Sequence, residues 1–223
     1  MNAALIPSTF LFRYALPVQH VPRIPRRSGR LFALGDDCKL PRLQPASEEP
    51  DWGEIRLGWN AAGLAISARV GCKRMPPSCN PARLELSDGL RVWIDTRNTQ
   101  NIHRASRFCH SFCFLPSGAG AKRDSPLAVQ SPILHAREEA KRAAADELGI
   151  TSAVTANGYR LEAWLAADVL TGYDPEASPR LGFFYHLRDS ELGDQFLTLG
   201  PEFPFAHDPS LWSTLELMPR ELE

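Results

Sequence analysis

SDGLRVWIDTRNTQNIHRASRFCHSFCFLP, residues 87–116, decides how this chain is read. Residues 90–95 alternate: Leu90, Val92 and Ile94 point one way, Arg91, Trp93 and Asp95 the other. A period of two is what a half-buried strand requires. Residues 108–115 alternate again. Phe108, His110, Phe112 and Phe114 share one face; Cys109, Ser111, Cys113 and Leu115 share the other. The loop between them, 96–107, carries three arginines and a histidine and is too polar to bury.

Working outward, residues 54–60 place Ile55, Leu57 and Trp59 on one side. Asn60-Ala61-Ala62-Gly63 then turns the chain into 64–70, where Leu64, Ile66, Ala68 and Val70 align, so the pair reads as a hairpin. A second hairpin spans 150–156 and 159–165 across Asn157-Gly158, a pair suited to the positive φ of a tight turn. Further strands are expected at 10–18, 127–134, 182–189, 195–199 and 211–217. Residues 136–148 have the highest helix propensity, but their apolar face is mostly alanine, so a short surface helix or an irregular connection is expected. One helical turn is expected at 166–170. Nine to eleven strands with little helix argue for an all-β fold, a two-sheet antiparallel β-sandwich with one or two short helices. One domain is expected. An extended, loop-rich segment, 1–53, packs on a core at 54–219, and 220–223 form a tail.

At 223 residues and 43% hydrophobic, the chain has enough apolar side chains for a packed core. A net charge of -1 gives no basic excess to attract nucleic acid. No apolar run approaches the roughly 20 residues of a membrane span. Pro7 and Arg13 interrupt the first apolar stretch, so no export leader is expected. The five cysteines then read as reduced thiols of a cytoplasmic protein.

Four pieces in the same order resemble the family 9 carbohydrate-binding modules and the related DOMON-like sandwiches. They are the 57–70 hairpin, LGWNAAGLAISARV; DGLRVWID at 88–95, followed by Thr96-Arg97; GYRLEAWL at 158–165; and LGFFYHLRD at 181–189. Ala166 stands where the family has proline. The resemblance implies a jelly-roll-like sandwich that binds sugars without cleaving them. It also implies that strands 90–95, 158–165 and 182–189 are neighbours.

On that arrangement one sheet face carries Arg91, Trp93 and Asp95, Glu162 and Trp164, and His186. Indole faces stack on the C–H side of a sugar ring, and charged side chains bond its hydroxyls. Trp93 and Trp164 would stack; Arg91, Glu162, His110 and His186 would supply hydrogen bonds. Asp95, Arg97 and His103 would form a rim, although Asp95 also suits a strand-end acceptor of backbone hydrogen bonds. The alternative is that both indoles are core residues or lie under the N-terminal segment. The candidate ligand is a saccharide or small polar molecule, with a protein partner as the alternative and neither nucleic acid nor membrane expected.

Metal and cofactor readings are weaker. His103, Cys109, His110 and Cys113, with Cys72 and Cys79, raise zinc, but His110 faces away from the two strand cysteines. Met75, His110 and His186 are the candidate haem ligands, without an attachment motif. No cofactor is expected, although Asp189, Glu191 and Asp194 offer oxygen donors for calcium. Catalytic elbows, phosphate loops and HExxH helices are missing from the sequence. A glycan-processing enzyme would have to use Glu162 with Asp95 or Asp189.

Overall fold

The computed structural model describes residues 13–25, 32–43 and 52–219. Residues 10–12 of the expected first strand, Arg26, Arg27 and Arg30, and the tail at 220–223 lie outside them. The described residues form eleven strands: β1 (Ala15–His20), β2 (Gly53–Asn60), β3 (Gly63–Val70), β4 (Gly89–Asp95), β5 (Cys109–Ala119), β6 (Ser125–Ser131), β7 (Leu148–Thr155), β8 (Gly158–Ala166), β9 (Arg180–Asp189), β10 (Gly193–Phe196) and β11 (Ser213–Leu217). Both expected hairpins are present, as β2–β3 and β7–β8.

The strands run β6-β5-β4-β9-β11-β1-β2-β3-β8-β7, and β10 shares the edge of β9 with β11. One sheet, sheet A, holds β6, β5, β4, β9, β10 and β11; the other, sheet B, holds β2, β3, β8 and β7. β1 belongs to both. Its first half pairs with β11, and Gln19 and His20 pair with Gly58 and Trp59 of β2. Both pairings are parallel, which corrects the all-antiparallel expectation. The core between the sheets is built from the alternating positions the sequence marked, among them Leu57, Leu64, Ile66, Leu90, Ile94, Phe112, Phe114 and Phe183.

Among the described residues the only helical turns are four three-residue 3-10 turns, at Asp36–Cys38, Leu84–Leu86, Ala145–Glu147 and Pro209–Leu211. The short helices are therefore corrected to turns. Residues 136–144 stay irregular because their backbone groups bond elsewhere. Gln130 accepts from the Ala143 amide at 2.6 Å and donates to the Lys141 carbonyl at 3.1 Å. The Arg137 amide bonds Ala105 at 2.7 Å, and Arg104 donates to His135 at 2.9 Å. An alanine face buries too little to outweigh these contacts.

The β7–β8 turn depends on Gly158. Its φ is +156°, and a Cβ there would sit 2.0 Å from the Val70 carbonyl oxygen. Gly158→Ala should cost about 3 kcal/mol, combining backbone strain with overpacking. Urea unfolding checks this, and a change under 0.5 kcal/mol would contradict the turn geometry.

Candidate functional site

β4 is buried on both faces, not one. Its core face meets sheet B. Its outer face carries Arg91 and Trp93, beside Cys113 and Ser111 of β5 and His186 and Phe184 of β9. Phe205 lies across this face, its ring 5.4 Å from Trp93 and 4.5 Å from Phe184. A groove of about 480 Å³ remains beside it. Arg91, Trp93, Ser111 and Cys113 line it, with Pro81–Glu85 on one wall and Leu134, Ala206 and His207 on the other. The hollow exists because Ser111 and Cys113 are small where Arg91 and Trp93 are large. Trp93 is 6% exposed, so it offers a ligand an edge rather than a whole face.

Arg91 is held from one side. Its Nη2 donates to the carbonyls of Leu84 and Ser87, the latter at 3.0 Å. Its buried Nη1 has no hydrogen-bond partner. His186 is committed beside the groove: its Nε2 meets Asp194 at 2.7 Å and its ring stacks on Phe196 at 4.4 Å. Burial lowers the His186 pKa, and Asp194 opposes that shift.

The expected common face of Trp93 and Trp164 is corrected. β8 pairs with β3 and β7 in sheet B and never adjoins β4. Trp164 packs with Ile24, Phe32, Leu34, Cys38 and Ala65, under the N-terminal segment. Glu162 is sealed in the same layer, accepting from the Phe32 amide at 3.3 Å. A buried carboxylate that accepts from a backbone amide needs no ligand to be satisfied.

The rim residues also separate. Asp95 is buried and accepts from the amides of Arg97 at 2.9 Å and Thr99 at 2.6 Å, the strand-end role the sequence allowed. Burial raises its pKa, and these amides counter the shift. Arg97 covers the Phe108 ring at 4.9 Å. His103 is exposed; its Nδ1 meets Asp208 at 3.1 Å and Ser210 at 3.2 Å. Serine and aspartate meet the same ring nitrogen, so this trio cannot relay a proton as a hydrolytic triad does.

His110 lies on the core face of β5, opposite Ile94, with Gln130 at 3.4 Å from its Nδ1. It is 1% exposed and lines no part of the groove. Burial pushes its pKa down to about 4. An unfolded histidine titrates near 6.5, so between these values the unfolded chain binds more protons. Stability is therefore complete above about pH 6.5 and falls by about 3 kcal/mol as pH drops toward 4. Urea midpoints across this range should show the fall, and His110→Gln should remove it. An unchanged pH slope in that variant would refute the assignment.

The remaining chemistry-bearing groups have internal partners. Cys109 and Cys113 lie on the opposite strand face from His110, and burial pushes their pKa values up to about 12 and about 11. No cluster of three or more His, Cys, Asp or Glu suited to a metal occurs among the described residues. Asp189 binds the Lys73 ammonium at 2.6 Å through both oxygens. Glu191 accepts from the Arg74 and Met75 amides, and Asp194 from His186 and Arg188. Those three carboxylates therefore do not converge on a shared point. Asp95, Asp189 and Glu162, the candidate catalytic acids, are likewise held in three separate places.

A larger cleft of about 630 Å³ opens near Trp52, Tyr185 and Gln195. On its lining Lys39 pairs with Glu54 at 3.0 Å, and Asp36, Arg42 and Arg69 also face it. The groove on sheet A differs in holding a buried cation, Arg91, that forms no ion pair among the described residues, although the exposed Glu85 also lines it. Sequence reasoning found Arg91 and Trp93 but missed the groove walls. Alternation put Ser111 and Cys113 on one face, but only the β4–β5 register sets them opposite Trp93 and Arg91. His207 and Leu134 come from loops without periodic signal.

No protein-family model matches the sequence, and no curated protein does either. Solved structures do match. A family 9 carbohydrate-binding module from Caldicellulosiruptor kristjanssonii, in complex with glucose, superposes with a TM-score of 0.62 at 14% identity. The alignment covers 93% of this chain and 97% of that one. A module of that family from the same organism, in complex with cellotriose, gives 0.61 at 12% identity, covering 93% and 95%. This chain has the fold of the family 9 carbohydrate-binding modules.

Proposed function

We propose that the chain is a non-catalytic binding domain that holds a saccharide in the groove on sheet A. The observation that carries this reading is the groove itself, where an indole edge and a buried guanidinium line one hollow of about 480 Å³. An aromatic surface beside fixed polar groups suits a ring that is apolar on its faces and hydroxylated at its edge. The structural relatives, solved with glucose and cellotriose, support the same class of ligand. Sheets A and B then form a sandwich of the jelly-roll type, with the ligand outside it. The free cysteines support a reducing, cytoplasmic setting.

Calorimetry with a panel of oligosaccharides tests the proposal. Saturable heat, lost when the groove is altered, supports it. Leu86 and Leu134 are exposed beside the groove, which favours a second reading, a protein-interaction surface without a small ligand. That reading gains if no saccharide produces heat and the purified chain captures a defined partner through Leu134.

A further inference from the structure

We propose that the ligand of the groove is an acidic saccharide whose carboxylate pairs with Arg91. This rests on the saccharide reading above and narrows it to uronic-acid sugars.

Arg91 is 9% exposed and presents a guanidinium, the side-chain group best matched to carboxylates. Other buried charges among the described residues are answered. Lys73 lies between Asp88 and Asp189, Glu162 has Arg160 at 3.7 Å, and Asp95 takes two backbone amides. Arg91 has two carbonyls on Nη2 and nothing on Nη1. A buried guanidinium without a counter-charge is costly, and an unpaired N–H adds to the cost. Both costs fall if a carboxylate in the groove accepts a charge-assisted hydrogen bond from Nη1.

The surroundings fit that ligand. Trp93 is two residues along the same strand face, roughly 7 Å away, within reach of one sugar unit. Ser111, across from Trp93, supplies a hydroxyl. Glu85 on the wall is exposed, so solvent and salt weaken its repulsion, whereas the Arg91 charge is shielded from both. His207, on the opposite wall, adds a group that can only be neutral or positive.

The test is calorimetry on the full chain with four probes of matched length: oligogalacturonate, its methyl ester, a neutral cello-oligosaccharide and a sulfated glucan. The free acid should bind roughly 10- to 100-fold more tightly than its ester, the range of a charged hydrogen bond. That preference should shrink as salt rises. Arg91→Gln should bring the acid-to-ester ratio close to unity, and Arg91→Lys should retain part of it. Arg91 also holds the Leu84 and Ser87 carbonyls, so Arg91→Gln can fail to fold; the ester comparison on the unaltered chain then decides. Equal binding of acid and ester overturns the proposal and leaves the saccharide reading standing. Tighter binding of the sulfated glucan overturns the carboxylate assignment. If no probe gives heat, both the proposal and the saccharide reading fail.

Discussion

Lys73→Met should lower the unfolding free energy by about 3–5 kcal/mol, the cost of leaving buried carboxylates without their cation. Lys73 is 1% exposed along its side chain, and Asp88 and Asp189 are 0% exposed. Its ammonium lies 2.6 Å from both Asp189 oxygens and 3.4 Å from Asp88. The acids have further ties: Asp88 accepts from the Ser190 amide at 2.7 Å and the Ser78 amide at 2.9 Å, and Asp189 from the Glu191 and Leu192 amides. One cation therefore joins the loop after β3, the start of β4 and the end of β9. Urea unfolding measures the loss. Lys73→Met combined with Asp189→Asn should be less damaged than the sum of the two single changes, because one orphan charge disappears. Additive losses, or a single-variant loss below 1 kcal/mol, would mean the cluster is not the buried network described. The Ser78 contact also anchors the chain leading to the Pro81–Glu85 wall, so Lys73→Met should weaken ligand binding as well.

Trp93→Ala should weaken saccharide binding by at least about 2 kcal/mol, some thirtyfold, as loss of a central aromatic anchor does. It should also cost about 3–5 kcal/mol of stability, because Trp93 is buried against Phe184 and Phe205. The two effects separate if binding is measured well below the melting temperature and compared with Trp93→Phe, which keeps an aromatic ring. Trp164→Ala is the control. It should lose comparable stability, since Trp164 is sealed under Phe32 and Leu34, but leave affinity unchanged. Equal binding by Trp93→Ala and the unaltered chain would remove the groove as the site.

Most strands could be read from alternation alone. Ile55, Leu57 and Trp59, or Leu64, Ile66 and Ala68, leave one choice of face; Asn157-Gly158 marks the second hairpin turn only to within one residue, since the loop is Ala156-Asn157 and Asn157 takes no positive φ. Strand neighbours could not be read that way. Alternation says which side of a strand is apolar, and nothing about which strand lies beside it. The family resemblance, not alternation, implied that β8 adjoins β4, and that pairing put Trp164 on the wrong sheet. Glu162 misled for a related reason: a carboxylate on an outer face reads as solvated, yet a backbone amide from Phe32 covers it. His110 sits among phenylalanines and was ambiguous between core and site. Lys73 lies in GCKRMPPSCNP, where nothing periodic marks a lysine as buried. The groove was half legible, through Arg91 and Trp93.

Among the described strands, the first is zipped to the last. β1 pairs with β11, and the Trp59 indole bonds the carbonyls of both Val18 and Met218 at 3.1 Å. During synthesis, residues 15–18 therefore emerge long before their β11 partner, and the β11-facing edges of β1 and β9 stay unpaired until residue 217 has left the ribosome. Sequence-distant pairing of this kind is slow to form. A nascent chain halted short of Ser213 would present two open strand edges at once, the state in which a chaperone has most to grip and a second copy most to stick to.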